Sequence, residues 1–307
     1  MNIIETHNFS RRFGRTEAVA GLDLAVTAGS VCALLGPNGA GKSTTIKMLM
    51  NLLAPTAGEA RVLGVDSRRL GPREFAQIGY VSENQQLPVW MTVRQLMGYC
   101  RPFYPTWDPR LERELSIQLG LPQDQRLSQF SRGMLMKAAL LSSLAYRPKL
   151  LVLDEPFSGL DPLVREELVK SIIEVSAAGS WTVLVSSHDI EEVERMTDHV
   201  ALLDAGRLRL SEPIDMLQAR FRRVEFDVSP GIGAGEPKAG HPPAWLEFER
   251  SGNRMSFVDS AFNSAESERA RVQLIPGGQA IVRPMTLREI FLALARTGRP
   301  NVKGAAA

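Results

Sequence analysis

Long apolar runs are missing from this sequence. No stretch approaches the ~18 consecutive apolar residues that a membrane-crossing helix needs, although 44% of the 307 residues are hydrophobic. A helical membrane span is therefore not expected. Cysteine is nearly absent: Cys32 and Cys100 stand far apart and in no metal-ligand spacing. That excludes a disulfide scaffold and suits a reducing compartment. Cys32 lies in an apolar run and reads as a small core hydrophobe. An excess of one charge is also lacking, since 36 basic and 34 acidic residues leave a formal net charge of +2. Nucleic-acid-binding chains usually carry a strong basic excess, so no nucleic-acid partner is expected. The pairs Arg11-Arg12 and Arg222-Arg223 read as solvated surface. Met1-Asn2-Ile3-Ile4-Glu5-Thr6 has no basic stretch leading into an apolar one, so no secretory leader is expected. No internal repeat and no heptad run is visible.

A chain of this length suggests about two domains. Residues 1 to about 35 read as short strands, the last being Val31-Cys32-Ala33-Leu34-Leu35, apolar throughout as in a strand buried on both faces. A glycine-rich turn follows, then a helix from about Lys42 to Leu53, stopped near Pro55. Strands are expected at Ile78–Val81, Leu150–Leu153, Trp181–Val185 and His199–Leu203. Helices are expected near Leu163–Val175 and Ile190–Met196. This alternation predicts a parallel sheet covered by helices. Between Leu87 and Tyr146 the pattern is helical, broken by Pro102, Pro105, Pro109 and Pro122.

The texture changes after about Arg220. Val224–Val228 alternates like a strand, Pro230–Pro243 is rich in Gly and Pro, and Trp245–Glu249 and Met255–Val258 read as strands. Thr286 and Glu289 form a capping box, after which Leu287, Ile290, Phe291 and Leu294 share one helical face. Residues 221–307 are expected to form a small α+β accessory domain with a frayed tail after Thr297.

Gly36-Pro37-Asn38-Gly39-Ala40-Gly41-Lys42-Ser43-Thr44 matches the P-loop pattern, with an apolar strand before it and a helix after it. Glycines let the backbone curl until its N–H groups face a phosphate, and the helix N-terminus adds a favourable dipole. Lys42 would neutralise the β- and γ-phosphates, and the Ser43 hydroxyl would hold Mg²⁺. Asp154 and Glu155 end the strand Leu150–Leu153, and strand C-termini are where ligands sit in open parallel sheets. Asp154 would bind Mg²⁺, and Glu155 would polarise the attacking water as general base.

The whole arrangement resembles an ABC ATPase over residues 1 to about 220, and four further segments carry that resemblance. Phe130-Ser131-Arg132-Gly133-Met134 stands where the family signature L-S-G-G-Q would; Ser131 and Gly133 keep the pattern, whereas Phe130, Arg132 and Met134 depart from it. Ser131 is placed to cap a helix. In the family that helix faces the γ-phosphate bound at a partner cassette. Arg132 could add a charge contact to nucleotide or weaken closure. Ser158-Gly159-Leu160-Asp161 resembles the family's D-loop, and also reads as a helix start with Asp161 as cap and Pro162 at the first position. His188 resembles the family's switch histidine. Ile78–Glu83 resembles the segment that normally ends in Gln and touches Mg²⁺; here the residue is Glu83, with Gln85 and Gln86 nearby as alternatives. Phe13 resembles the aromatic that stacks on adenine, its other reading being a core aromatic in a strand.

The resemblance implies an α/β P-loop NTPase with a parallel-sheet core, an antiparallel β subdomain, and a helical subdomain at about 84–148, plus the small C-terminal α+β domain. It implies ATP and Mg²⁺ as ligands, a head-to-tail dimer with a second copy or a related cassette, and a separate integral membrane permease. Attachment through that permease would place the chain at the cytoplasmic face of the membrane, with export as the expected direction. A non-transport or regulatory ABC-type ATPase is the alternative. Trp90, Tyr99, Phe103, Tyr104 and Trp107 crowd into the helical region. They read equally as anchors for a membrane partner and as filling for the region's own core.

Overall fold

Val31 to Leu35 are all buried, as an apolar strand flanked on both faces by other layers must be. A computed structural model describes residues 1–179, 181–227, 242–274 and 279–297. The Gly- and Pro-rich stretch, apart from Pro242 and Pro243, lies outside them, as does the tail after Thr297. The chain divides into two compact units, Met1–Ser211 and Glu212–Ala307.

The first unit opens with β1 (Asn2–Phe13), β2 (Thr16–Leu22) and β3 (Ala25–Thr27), then β4 (Val31–Leu35), the glycine-rich turn and α1 (Lys42–Leu49). The helix stops short of the expected Leu53. Asn51 takes a left-handed conformation at φ 55°, one of the few side chains that tolerates it, and this turn acts before Pro55 does. β5 (Ala57–Val62), β6 (Val65–Asp66), the short helix α2 (Pro72–Phe75) and β7 (Ile78–Ser82) follow. α3 (Val93–Cys100), α4 (Pro109–Gln118) and α5 (Arg132–Leu144) fill the helical region. Asp108 and Thr92 cap two of these helices, accepting bonds from Leu111 and Gln95 backbone N–H groups. Then come β8 (Leu150–Asp154), α6 (Pro162–Gly179), β9 (Thr182–Ser187), α7 (Ile190–Val193), β10 (His199–Asp204) and β11 (Arg207–Pro213).

Two sheets result. β2, β1, β5 and β6 form an antiparallel sheet in that order, with β3 on β1. The other has the order β11-β10-β4-β9-β8-β7. In it β10, β4, β9, β8 and β7 run parallel. β9 extends two residues past the expected Val185, because Ser186 and Ser187 keep register with Leu34 and Leu35 of β4. The five aromatics of the helical region divide. Tyr104 stacks on Tyr146 at 3.8 Å between centroids, and the Tyr146 hydroxyl donates to Ile78 O at 2.7 Å. Trp107 is half-buried and donates from Nε1 to Glu112 at 2.7 Å. Trp90, Tyr99 and Phe103 stay 67%, 58% and 64% exposed.

Cys32 is fully buried between β-sheet neighbours, and burial pushes its thiol up to about 12. A thiolate is the reactive form. In a thiol titration of the native protein we therefore expect no reaction at Cys32, slow reaction at half-buried Cys100, and two thiols only after denaturation. Rapid titration of both would contradict this packing.

The second unit contains α8 (Ile214–Arg220), β12 (Arg222–Asp227), β13 (Trp245–Ser251), β14 (Arg254–Asp259), α9 (Ser264–Leu274), β15 (Ile281–Pro284) and α10 (Leu287–Thr297). Among the described residues, β12 to β15 form an antiparallel sheet in the order β13-β14-β12-β15. Val224, Phe226, Trp245, Met255 and Phe257 make its core. α10 begins at the expected capping box: the Thr286 N–H donates to Glu289 Oε2 at 2.8 Å, and the Glu289 N–H to Thr286 Oγ1 at 3.3 Å.

Candidate active site

Because neighbouring strands of the central sheet are parallel, their C-terminal ends share one edge. Register places them together: Ser82 of β7 opposite Asp154 of β8, Asp154 opposite Ser186 of β9, and Ser187 opposite Leu35 of β4. The loops leaving these strands enclose a cavity of about 390 Å³. Asn38, Gly39, Gly41, Lys42, Ser43 and Thr44 form one wall, and Ala18, Glu83, Glu155, Ser158 and His188 the rest.

The loop after β4 is held tightly. Gly41 has φ 104°, and a Cβ there would lie 2.4 Å from the Ala18 carbonyl oxygen; only glycine fits. Lys42 is the first residue of α1 and is 5% exposed. Its ammonium has three protons, and three acceptors surround it: Gly36 O at 2.6 Å, Pro37 O at 3.2 Å and Glu155 Oε1 at 3.0 Å. A phosphate oxygen entering the cavity competes for the same three protons.

Asp154 closes β8 and is 5% exposed. Its Oδ1 accepts hydroxyl bonds from Ser43 and from Ser186, each at 2.9 Å. Ser186 Oγ in turn accepts the Glu155 N–H at 2.9 Å. Glu155 sits in the left-handed region, φ 52°, a strained backbone for a side chain of this size. That turn directs its carboxylate between two partners, Lys42 on Oε1 and His188 Nδ1 on Oε2 at 2.8 Å. Behind His188, Ser187 donates to Glu192 at 2.8 Å, and Arg165 of α6 pairs with Glu192 at 2.6 Å. Burial pushes the Glu192 carboxyl above its ordinary range, partly offset by the Ser187 bond. These contacts brace the turn that carries His188.

Two departures from the family pattern, Arg132 and Glu83, meet one another. Arg132 pairs with Glu83 Oε1 at 2.8 Å, and the Ser158 hydroxyl donates to the same oxygen at 2.8 Å. Ser131 caps α5, accepting from the Met134 N–H at 3.2 Å. Asp161 accepts from the Val164 N–H at 3.1 Å, ahead of Pro162 at the start of α6. Gly133 packs against Val164. Ser131, Gly133 and Asp161 line no part of the cavity. Gly36, Pro37 and Ala40 shape the loop without lining it. Gln85 accepts from its own turn, the Ser82 N–H at 3.4 Å, and neither it nor Gln86 lines the cavity. Phe13 is 47% exposed, with the Arg11 guanidinium 4.6 Å over its ring, so it is no core aromatic; it too lies outside the cavity wall. Sequence reading missed Ser186 and Ala18. The polar pair Ser186-Ser187 closing an apolar strand was the available signal for the first; nothing marked the second.

A strand-loop-helix phosphate cradle facing two carboxylates at the C-terminal edge of a parallel sheet defines a P-loop NTPase. The family described as ABC transporter matches residues 19–158. The bacitracin transport ATP-binding protein BcrA of Bacillus licheniformis is 30% identical over 230 residues, 74% of this chain and 75% of that protein. The Nod factor export ATP-binding protein I of Rhizobium meliloti (strain 1021) is 30% identical over 304 residues, 96% of this chain and 88% of that protein. A solved ATP-binding subunit of an ABC transporter superposes with a TM-score of 0.63 at 27% identity, over 71% of this chain and 92% of the other. This chain belongs to the ABC transporter ATP-binding proteins: it is the subunit that binds and hydrolyses ATP. No helix among the described residues is long and apolar enough to cross a membrane.

Proposed function

We propose that the chain powers an export-type transporter. Two cassettes, copies of this chain or this chain with a relative, close head to tail around ATP and drive a separate membrane permease from its cytoplasmic face. The observation that carries the catalytic part is the meeting of Lys42, Ser43, Glu155 and His188 at one cavity, with Asp154 bonded to Ser43. The backbone from Gly36 to Thr44 cradles the phosphates and Lys42 neutralises them. Glu155 holds the attacking water and takes its proton. His188 orients Glu155 and reaches the γ-phosphate. Ser43 Oγ and Asp154 Oδ1, 2.9 Å apart, are the hard oxygen donors that Mg²⁺ takes, and they fit it. When bound, the ion neutralises phosphate charge. Phe13 stacks on adenine. Ser131, Gly133 and Asp161 act across the dimer interface, which accords with their lying outside this chain's own cavity.

Export rests on likeness to a protein named for Nod factor export across 96% of this chain. Trp90, Tyr99 and Phe103, exposed on the helical region, are apolar anchors suited to a partner. Affinity capture of the full chain from detergent-solubilised membranes tests the reading. We expect a polytopic membrane protein to co-purify and to raise ATP turnover, with ATP-driven uptake into inverted vesicles holding the complex. Replacing Trp90, Tyr99 and Phe103 with Ser together should release the partner while leaving nucleotide affinity intact. Turnover equal with and without the captured protein, or uptake only into right-side-out vesicles, would overturn the export assignment.

A further inference from the structure

The two charged departures at positions 83 and 132 are each unfavourable alone. Arg132 is the first residue of α5, and no acidic residue lies in that helix's first turn. A cation there faces the positive end of the helix dipole. Glu83 lines the cavity that receives a polyanionic triphosphate, where a lone carboxylate repels the ligand. Together they cancel. The guanidinium Nη2 sits 2.8 Å from Glu83 Oε1, and Ser158 Oγ adds a bond to that same oxygen at 2.8 Å.

The contact also joins three segments around the cavity. Glu83 follows β7, and its N–H donates to Asp154 O at 2.9 Å. Arg132 starts α5 next to its Ser131 cap. Gly159 lies in the loop leading from Glu155 to α6, with φ +66°, and a Cβ on it would fall 2.2 Å from Arg132 Nη1. Glycine at 159 leaves the space that the guanidinium occupies. Side-chain exposures of 49% for Arg132 and 28% for Glu83 place the pair where solvent screens it, so its contribution to global stability is small. Its effect is on alignment.

We propose that Glu83 and Arg132 act as one positioning unit, a charge clamp buttressed by Ser158 that aligns the start of α5 with the Asp154–Glu155 strand end. The proposal rests on the reading of this cavity as the chain's own ATP-hydrolysing site. Movement of α5 is passed to the hydrolytic carboxylates through this contact, and each charge is needed because the other is present.

The test compares the full chain with E83Q, R132Q and E83Q/R132Q. Three quantities are read: kcat and KM for ATP with Mg²⁺, ATP affinity in EDTA, and Tm. We expect each single change to lower kcat about tenfold, and the double variant to lose about tenfold as well instead of the ~100-fold of independent sites. ATP affinity in EDTA should stay within about threefold of the unaltered chain in E83Q and the double variant, since the P-loop supplies it, and should fall in R132Q, which leaves the Glu83 carboxylate alone in the cavity, by less than kcat does; Tm should stay within about 2 °C in all three. The exchanged pair E83R/R132E should recover at least about fivefold in kcat over E83R alone. Unchanged kcat in both single variants, a multiplicative loss in the double, or ATP affinity falling in step with kcat would each overturn the clamp. Lys42→Ala, run in the same assays, separates the two readings. If it weakens ATP binding while positions 83 and 132 fail to couple, only the clamp falls; if it binds ATP normally, the nucleotide site itself has been misassigned.

Discussion

Glu155→Gln is expected to bind ATP and hydrolyse almost none. The carboxylate sits 12% exposed between Lys42 and His188, held there by a left-handed backbone and by the Ser186 bond to its N–H. Glutamine has the same length and keeps an acceptor for Lys42, so the loop geometry survives. On the proposed role, what it loses is the basic oxygen that would take a proton from water. General-base catalysis contributes roughly 10²–10⁴-fold, and phosphate release should fall by that amount. Nucleotide affinity should change little, because the P-loop backbone and Lys42 remain. With binding intact and hydrolysis blocked, the ATP-closed dimer has no exit, so gel filtration with ATP and Mg²⁺ should show dimer where the unaltered chain shows monomer. Phosphate release at the unaltered rate would remove Glu155 from the general-base role. Loss of affinity would mean that the side chain serves binding instead.

Much of this site was legible because its chemistry is local. Gly36 to Thr44 is one continuous segment whose glycines, lysine and serine each have a steric or electrostatic reason. Asp154-Glu155 directly follow an apolar strand, so their place at the sheet edge could be read from the pattern. Sheet order was not legible: β4 lies between β9 and β10, and no residue pattern along either strand encodes that crossover. The Glu83–Arg132 contact was invisible for a related reason. Its residues are 49 positions apart, and each looked like a separate departure until the fold brought them together. α9 carried no apolar stripe to announce it, being Ser264-Ala-Glu-Ser-Glu-Arg-Ala-Arg-Val-Gln-Leu274, with Arg271 buried against Glu268. α1 ended early because a left-handed Asn51 acts before a proline can. The aromatic cluster, for which sequence allowed two readings, divides between them: Tyr104 and Trp107 turn inward, while Trp90, Tyr99 and Phe103 face out.

Lys42→Ala should weaken nucleotide binding by about one to two orders of magnitude. Among the described residues lining the cavity its ammonium is the only Lys or Arg charge. A hydrogen bond to a charged group is worth about 1.5–3 kcal/mol, so losing it at a phosphate lowers affinity by roughly 10- to 100-fold. The same change harms the resting protein. Glu155 Oε1 would be left in a nearly buried position with its cation gone, and His188 on the other oxygen would be its remaining close partner. Removing one member of a buried pair costs up to about 3–5 kcal/mol; the surviving histidine bond reduces that here, so a fall in Tm is expected along with the binding loss. The two effects come apart in the double variant K42A/E155Q. Glutamine removes the stranded charge, so Tm should rise above that of Lys42→Ala, while ATP affinity measured by calorimetry should stay as poor as in the single variant. If the double variant regained affinity together with stability, the loss in Lys42→Ala would have come from a disordered loop, and the ammonium would not be what grips the phosphate.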